Sequence, residues 1–472
     1  MTPEAIVELS AANLARAIRS KQLTALAAME AVIARADQVH KKLNCFVRID
    51  RYEALAAAHL ADAELARGAG RGPLHGVPMA HKDMYYREGA ISSCGSKIKR
   101  DMPAPSTATA LKKLDAAGAI QFGVLNMAEF AYGPTGHNYH LGHCRNPWNP
   151  DHITGGSSSG SGASVAARAS FAALGSDTGG SIRLPATFCG VSGIKPTWSR
   201  VSRHGAMPLS FSMDTVGPLA RTVEDCALIL GAIAGADPLD ASASQHPVPD
   251  YMGQLARPIR GLRIGTPKRY FYDNIDAEVE GLMQSGLEIY RKLGAEVIEV
   301  DLPDIEPWNH AAMVIIAAEA AAAHGNWMRT RPQDYSDQVR ARLELGLAVP
   351  ATTYLDGLRL RGVALQAFSQ EVFAKVDILH APTVGFQTPT IAETDISGGE
   401  AMTRALNSIT RLTRPGNFLG LPCLSVPAGF TGNGLPTAMQ LIGRPFNEAA
   451  LFAAGHAYQQ ATEWHLQAPK QP

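Results

Sequence analysis

Patterned cysteine is missing from this chain. Its six cysteines, at 45, 94, 144, 189, 226 and 423, are scattered and form no Cys-x-x-Cys pair, which argues against a disulfide framework and a zinc site and leaves packed thiols. An excess of one charge is missing too. Lysine plus arginine number 43, as do aspartate plus glutamate, so no electrostatic bias draws the chain to nucleic acid or to an anionic membrane surface. There is no long apolar run: the stretch 311–323 is interrupted by Glu319 and flanked by His310 and His324. It is too short and too polar to span a bilayer and reads as a buried helix. The segment Met1-Thr2-Pro3-Glu4-Ala5-Ile6-Val7-Glu8 lacks the positive start and continuous apolar stretch of a secretory signal. A cytoplasmic location is the default expectation, with no membrane partner.

What is present suits a large buried core. Of the 472 residues, 46% are hydrophobic and 18% charged, ordinary values for a globular chain. Apolar residues at three- and four-residue intervals predict helices over 4–20, 25–40 and 50–67, a helical cover within 1–70. From Gly76 onward, short runs of small and branched apolar residues alternate with helical segments. Strands are predicted over 119–125, 171–175, 262–265, 297–300, 378–382, 423–427 and 439–442, and helices over 222–234, 278–293 and 448–461. That alternation predicts α/β architecture. The stretch 237–260, mixed in Pro, Ser, Asp and Gly, reads as a long loop rather than a domain boundary.

Three segments carry chemistry. Gly76-Val77-Pro78-Met79-Ala80-His81-Lys82-Asp83 holds a lysine after an apolar run. Thr154-Gly155-Gly156-Ser157-Ser158-Ser159-Gly160-Ser161-Gly162 and Asp177-Thr178-Gly179-Gly180-Ser181-Ile182-Arg183-Leu184-Pro185 are rich in glycine and serine. A serine hydroxyl is a poor nucleophile until a base takes its proton, and a lysine serves only when burial lowers its pKa. The third segment offers the backbone N–H groups of Thr178, Gly179, Gly180 and Ser181 as an oxyanion hole. The second fails as a phosphate-binding Walker loop, because Ser161 stands where a lysine is needed. Cys189 has no suitably spaced histidine to make it a nucleophile. His81, His137, His140 and His143 form no usual metal-binding spacing, so neither a metal nor a cofactor is expected.

These segments, in this order and spaced by 75 and 24 residues between Lys82, Ser157 and Ser181, closely resemble those of the amidase signature family of serine hydrolases. Arg145-Asn146-Pro147-Trp148 and Gly420-Leu421-Pro422-Cys423-Leu424-Ser425-Val426-Pro427 extend the likeness over most of the chain. The resemblance implies one large α/β domain over 1–472, a central mixed β-sheet covered by helices, with a catalytic core in 71–235 and the rest of the sheet and the substrate pocket in 236–472. It implies Ser181 as nucleophile, Ser157 as a bridging serine often set in a cis peptide, and Lys82 as base. Asp177 and Arg183 would pair to hold the loop, with Ser158 as further structural support. Met127, Phe130, Tyr132, Gly156 and the segment around Trp327 are candidate substrate contacts.

Two positions depart from the family pattern. Ser159 stands where glycine is common, adding a side chain that can donate a hydrogen bond. Thr410 aligns with the acidic residue by which glutamine-hydrolysing subunits of transamidosomes grip the substrate amino group. The leading expectation is therefore an amidase for small, neutral or largely apolar amides, with esters and carbamates as accessible alternatives, acting as a monomer or homodimer with no nucleic acid. The alternative is the glutamine-hydrolysing A subunit of an aspartyl/glutamyl-tRNA amidotransferase.

Overall fold

The computed structural model describes residues 1–396 and 398–470. Its eleven strands are β1 (Phe46–Ile49), β2 (Pro78–Lys82), β3 (Ile120–Leu125), β4 (Ala172–Asp177), β5 (Ser192–Lys195), β6 (Thr215–Ala220), β7 (Arg263–Pro267), β8 (Glu296–Val300), β9 (Ile378–Pro382), β10 (Cys423–Phe430) and β11 (Pro436–Gly443). They form one sheet in the order β1-β3-β2-β4-β6-β5-β10-β11-β9-β7-β8. β2 runs parallel to β3 and β4, and β7 runs parallel to β8 and β9. The pairs β4–β6, β5–β10 and β10–β11 are antiparallel. The sheet is therefore mixed, and the α/β single-domain expectation holds. Every residue of β2, β4, β5, β6 and β11 is buried. Strands covered on both faces need not alternate apolar and polar residues.

Helix boundaries follow local chemistry. The predicted helix over 4–20 is two helices, Pro3–Val7 and Ala11–Arg19, because the Ser10 hydroxyl accepts the Asn13 N–H at 3.1 Å and starts a new one. Helix Ala25–Leu43 ends on Asn44 in the left-handed conformation. The buried segment 311–323 belongs to a longer helix, Glu306–Thr330. Its interrupting Glu319 is buried among donors: Ser210 Oγ at 2.5 Å, Ser212 N–H at 3.1 Å and Tyr354 Oη at 2.9 Å. No helix among the described residues is long and apolar enough to cross a membrane.

The topology brings the three sequence segments together. Parallel neighbours β2 and β4 end at Lys82 and Asp177 on the same side of the sheet. Helix Ser159–Ala166 is fixed to β4 by Ser161 Oγ, which donates to Leu174 O at 3.0 Å. It lies so close to neighbouring chain that a Cβ at Gly160 would stand 2.4 Å from Cys45 O. Glycine is required there by space alone.

Candidate active site

Lys82 is the last residue of β2 and fully buried. Its Nζ lies 2.7 Å from Ser157 Oγ and 2.8 Å from Ser176 Oγ. Burial pulls its pKa down from 10.5 to about 7, against the opposing charges of Asp214 and Asp177. An amine so placed exists in substantial neutral fraction at neutral pH and can accept a proton. Ser176 was not anticipated from sequence. It sits five residues before Ser181 on the strand beside β2, a position visible only once the strand pairing is known.

The peptide bond between Gly156 and Ser157 is cis. Ser158 ties this loop to β4, since its Oγ donates to Ser176 O and accepts the Ser176 N–H, both at 3.3 Å. Its own N–H donates to Ser181 O at 3.3 Å. Ser159 Oγ donates to Asn126 O at 3.3 Å. The extra side chain at this position thus anchors the loop to the end of β3. No direct hydrogen bond joins the Ser157 and Ser181 side chains, so the relay expected from sequence has its first link formed and its second open.

The turn after β4 is organised by Asp177. Its carboxylate accepts the N–H groups of Gly180 at 2.8 Å and Ile182 at 3.1 Å, Arg183 Nε at 3.1 Å and Asn417 Nδ2 at 2.8 Å. Burial pushes this carboxyl up, but the charge and hydrogen bonds of Arg183, with Lys195 and Asn417, outweigh it and hold the pKa at about 2. The guanidinium is fully buried and reaches on to Gln440 Oε1 at 2.9 Å and Asn417 Oδ1 at 2.6 Å. The anticipated Asp177–Arg183 pair is present in the structure, braced by Asn417 and Gln440 from the far end of the chain.

One predicted oxyanion donor is corrected. The Gly180 N–H points into the Asp177 carboxylate, so it is spent on the turn itself. The N–H groups of Thr178, Gly179 and Ser181 have no backbone or side-chain acceptor among the described residues. Gly180 has φ +132°, and a Cβ there would meet Thr413 Oγ1 at 2.4 Å, so both conformation and space demand glycine. Thr413 Oγ1 in turn donates to Gly179 O at 2.6 Å. Thr178 Oγ1 donates to Asp214 Oδ1 at 2.5 Å. Burial raises the Asp214 carboxyl to about 6, against its hydrogen bonds from Thr178, Leu209 and Ser210.

Ser181 is 9% exposed and opens onto a cleft that also presents Tyr132, Thr178, Gly179, Arg342, Thr410 and Arg414. Of the substrate contacts expected from sequence, Tyr132 reaches this cleft and Met127, Phe130 and Gly156 do not. Phe130 adopts φ +48° and turns into an aromatic cluster, with ring centroids 4.4 Å from His324 and 5.6 Å from Trp327. Met127 is fully buried. The Gly156 N–H is taken by Pro134 O at 2.6 Å, and Gly133 O would crowd any Cβ there at 2.3 Å. Arg342 and Arg414 were missed because they come from helices Asp337–Leu347 and Arg414–Phe418, far along the chain from the three segments that carry Lys82, Ser157 and Ser181.

The histidines are engaged elsewhere. His81 points away from Lys82, with Nδ1 3.2 Å from Gln121 Oε1, and burial pulls its pKa down to about 4. His140 Nε2 lies 2.9 Å from Glu129 Oε1. His137, His143 and Asp395 bring ligand-type atoms within 4.8 Å of one another, a grouping that linear spacing could not show. All six cysteines are buried free thiols, and burial raises that of Cys189 further from the reactive range.

Comparison with known proteins identifies the family. A model of the Amidase family matches residues 27–452. A relative from Geobacter metallireducens, named as the A subunit of glutamyl-tRNA(Gln) amidotransferase, is 38% identical over 473 residues, covering 95% of this chain and 96% of its own length. A solved structure, described with a vestigial protein complex and the evolutionary origins of an s-triazine catabolic enzyme, is 36% identical with TM-score 0.89, covering 96% of this chain and 98% of that one. 6-Aminohexanoate cyclic dimer hydrolase is 25% identical with TM-score 0.89, covering 98% and 99%. The full-length relative's name corrects one expectation, that of a small-molecule amide, ester or carbamate substrate with no nucleic acid involved. An even charge balance sums over the whole chain and is silent about what an assembly holds. By the family match, the full-length relatives and the shared fold, this chain belongs to the Amidase family of enzymes acting on C–N amide bonds.

Proposed function

We propose that this chain splits the C–N bond of a carboxamide through an acyl-enzyme on Ser181, as the amide-hydrolysing component of an amidotransferase assembly that serves a tRNA. The observation that carries the chemistry is the buried Lys82 amine, 2.7 Å from Ser157 Oγ, behind the turn that exposes Ser181 to a cleft. Likeness at 38% identity over nearly the whole of both chains to a protein named for such a component supports the assembly role.

In this reading neutral Lys82 takes the Ser157 proton while Ser157 takes that of Ser181, the second link closing when substrate fills the cleft. Ser181 Oγ bonds to the carbonyl carbon, and the carbonyl π pair moves onto oxygen. The free N–H groups of Thr178, Gly179 and Ser181 receive that charge. Collapse restores the carbonyl and breaks the C–N bond, with the proton returned to the departing nitrogen as ammonia leaves. Water then attacks the acyl-enzyme by the same route.

A fluorophosphonate probe should label Ser181, and Ser181→Ala should lose both label and turnover. Lys82→Ala should lower kcat by about 10²- to 10⁴-fold, the usual worth of a positioned base, with the fold retained by circular dichroism. Near-normal turnover in Lys82→Ala would remove the relay. The assembly role predicts copurification with two further chains and amide turnover that responds to tRNA; a chain that purifies alone and ignores tRNA overturns it.

A further inference from the structure

Three ligand-type side chains that no sequence pattern connects meet close to two walls of the cleft. His137 and His143 lie on the loop that follows Tyr132, Gly133 and Pro134, and Asp395 comes four residues before helix Gly399–Thr410. The two imidazole rings stack, with centroids 4.5 Å apart. The His137 side chain is 1% exposed, while that of Asp395 is 44% exposed.

The hydrogen bonds around His137 decide which nitrogen keeps its lone pair. Thr394 Oγ1 gives its single proton to Thr390 O at 2.9 Å and lies 3.2 Å from His137 Nε2. Nε2 is therefore the protonated nitrogen, donating to Thr394, and Nδ1 carries the lone pair. This buried Nδ1 has no hydrogen-bond partner among the described residues. It faces Asp395 Oδ1 at 4.0 Å, beyond hydrogen-bond reach. Two electron-rich atoms opposed in this way, one of them out of water, are costly unless a cation lies between them.

The neighbours suit that cation. Tyr139 Oη donates to Asp395 Oδ1 at 2.6 Å, which orients the carboxylate and leaves its other lone pairs to spare. His143 Nδ1 lies 3.2 Å from Asn138 O and 3.1 Å from the Asn138 N–H. A cation selects the tautomer in which Nδ1 donates to the carbonyl and Nε2 keeps a lone pair. The ligand-type atoms of the three residues all lie within 4.8 Å of one another. Bonds of about 2.0–2.2 Å to a tetrahedral ion set ligand atoms about 3.3–3.6 Å apart, a contraction that side-chain rotation and the exposed Asp395 carboxylate can supply. Two imidazoles with one carboxylate suit zinc, and imidazole is a poor match for magnesium or calcium.

We infer that His137, His143 and Asp395 bind one zinc ion, with solvent in the fourth position. The ion takes no part in the proposed reaction at Ser181. It fastens the loop bearing Tyr132, Gly133 and Pro134 to the approach of helix Gly399–Thr410, which presents Met402, Leu406 and Thr410 to the same cleft.

The test uses the full chain without an affinity tag, together with whatever chains copurify. After chelator treatment, zinc is added, unbound ion is removed by gel filtration, and bound metal is counted by mass spectrometry for the wild type, His137→Gln and Asp395→Asn. The wild type should hold one more zinc per chain than either variant. Each variant should bind that ion at least about 100-fold more weakly, since even residues that only orient a ligand are worth about 10- to 100-fold. Zinc at about 100 times its dissociation constant should raise the wild-type melting temperature by about 3 °C, leave both variants unmoved, and have no counterpart with magnesium. Because Asp395 is exposed, Asp395→Asn keeps the comparison readable if His137→Gln fails to fold. The proposal is overturned if the wild type retains no zinc, if Asp395→Asn retains as much as the wild type, which would place the ion elsewhere, or if magnesium gives the same thermal shift.

Discussion

Lys82 sets the pH behaviour of the site. Its burial lowers the pKa to about 7, and the proposed chemistry needs the uncharged amine. kcat/KM should therefore climb with pH through about 7 and level off above it; a profile flat from pH 6 to 8 would contradict the assignment. Stability carries the same sign. The unfolded chain holds this proton up to the ordinary lysine value of 10.5 while the folded chain has lost it from about 7 upward. The Lys82 contribution to stability thus rises with pH across that window. Asp177 has the same sign in a lower window, because the folded state stabilises its anion and holds the pKa at about 2, below the ordinary 3.8. Asp177→Asn would leave the Arg183 guanidinium buried without a counter-charge, a loss of about 3–5 kcal/mol. A large drop in melting temperature checks it, and a change within a degree would show that Asn417 and Gln440 suffice.

Elements were legible where chemistry is local. Helix Val223–Ile233 starts on a reciprocal cap, the Thr222 hydroxyl accepting the Asp225 N–H while the Asp225 carboxylate accepts that of Thr222, and the sequence placed it within a residue at each end. Thr222→Ala should cost about 1 kcal/mol in denaturant unfolding and leave turnover unchanged, since this helix does not border the cleft. Strand Ile378–Pro382 was found to the residue, since a short apolar run between turns has few other uses. The side chains around the cleft were harder. Phe130 and Tyr132 stand two apart in one short stretch, yet a positive φ at Phe130 swings the first into an aromatic cluster while the second faces Ser181. No spacing rule encodes such a turn. Lys82, Ser157 and Ser181 were legible because their glycine-rich surroundings advertise tight geometry; Arg342 and Arg414 sit in ordinary helices and gain meaning only from what faces them.

At the scale of the molecule, the site is completed from both halves of the chain. Lys82, Ser157 and Ser181 all lie before residue 236, but Asn417 and Gln440, which brace Arg183, and Thr413, which holds Gly179 O, lie beyond 400. β5 also needs β10 as its neighbour. A fragment of residues 1–235 should accordingly show no turnover and no cooperative melt despite carrying the whole of the proposed proton route; an active fragment would show that the second half only shapes specificity.

Adjacent Thr413 and Arg414 divide two tasks: one threads its hydroxyl to the turn that carries Ser181, while the other lines the cleft before it. The shape of the turn and the wall of the cleft are thereby yoked to a single dipeptide. A change at position 414 will be felt at the turn as well as in the cleft, whereas position 342, on a separate helix, reaches the cleft without that tie.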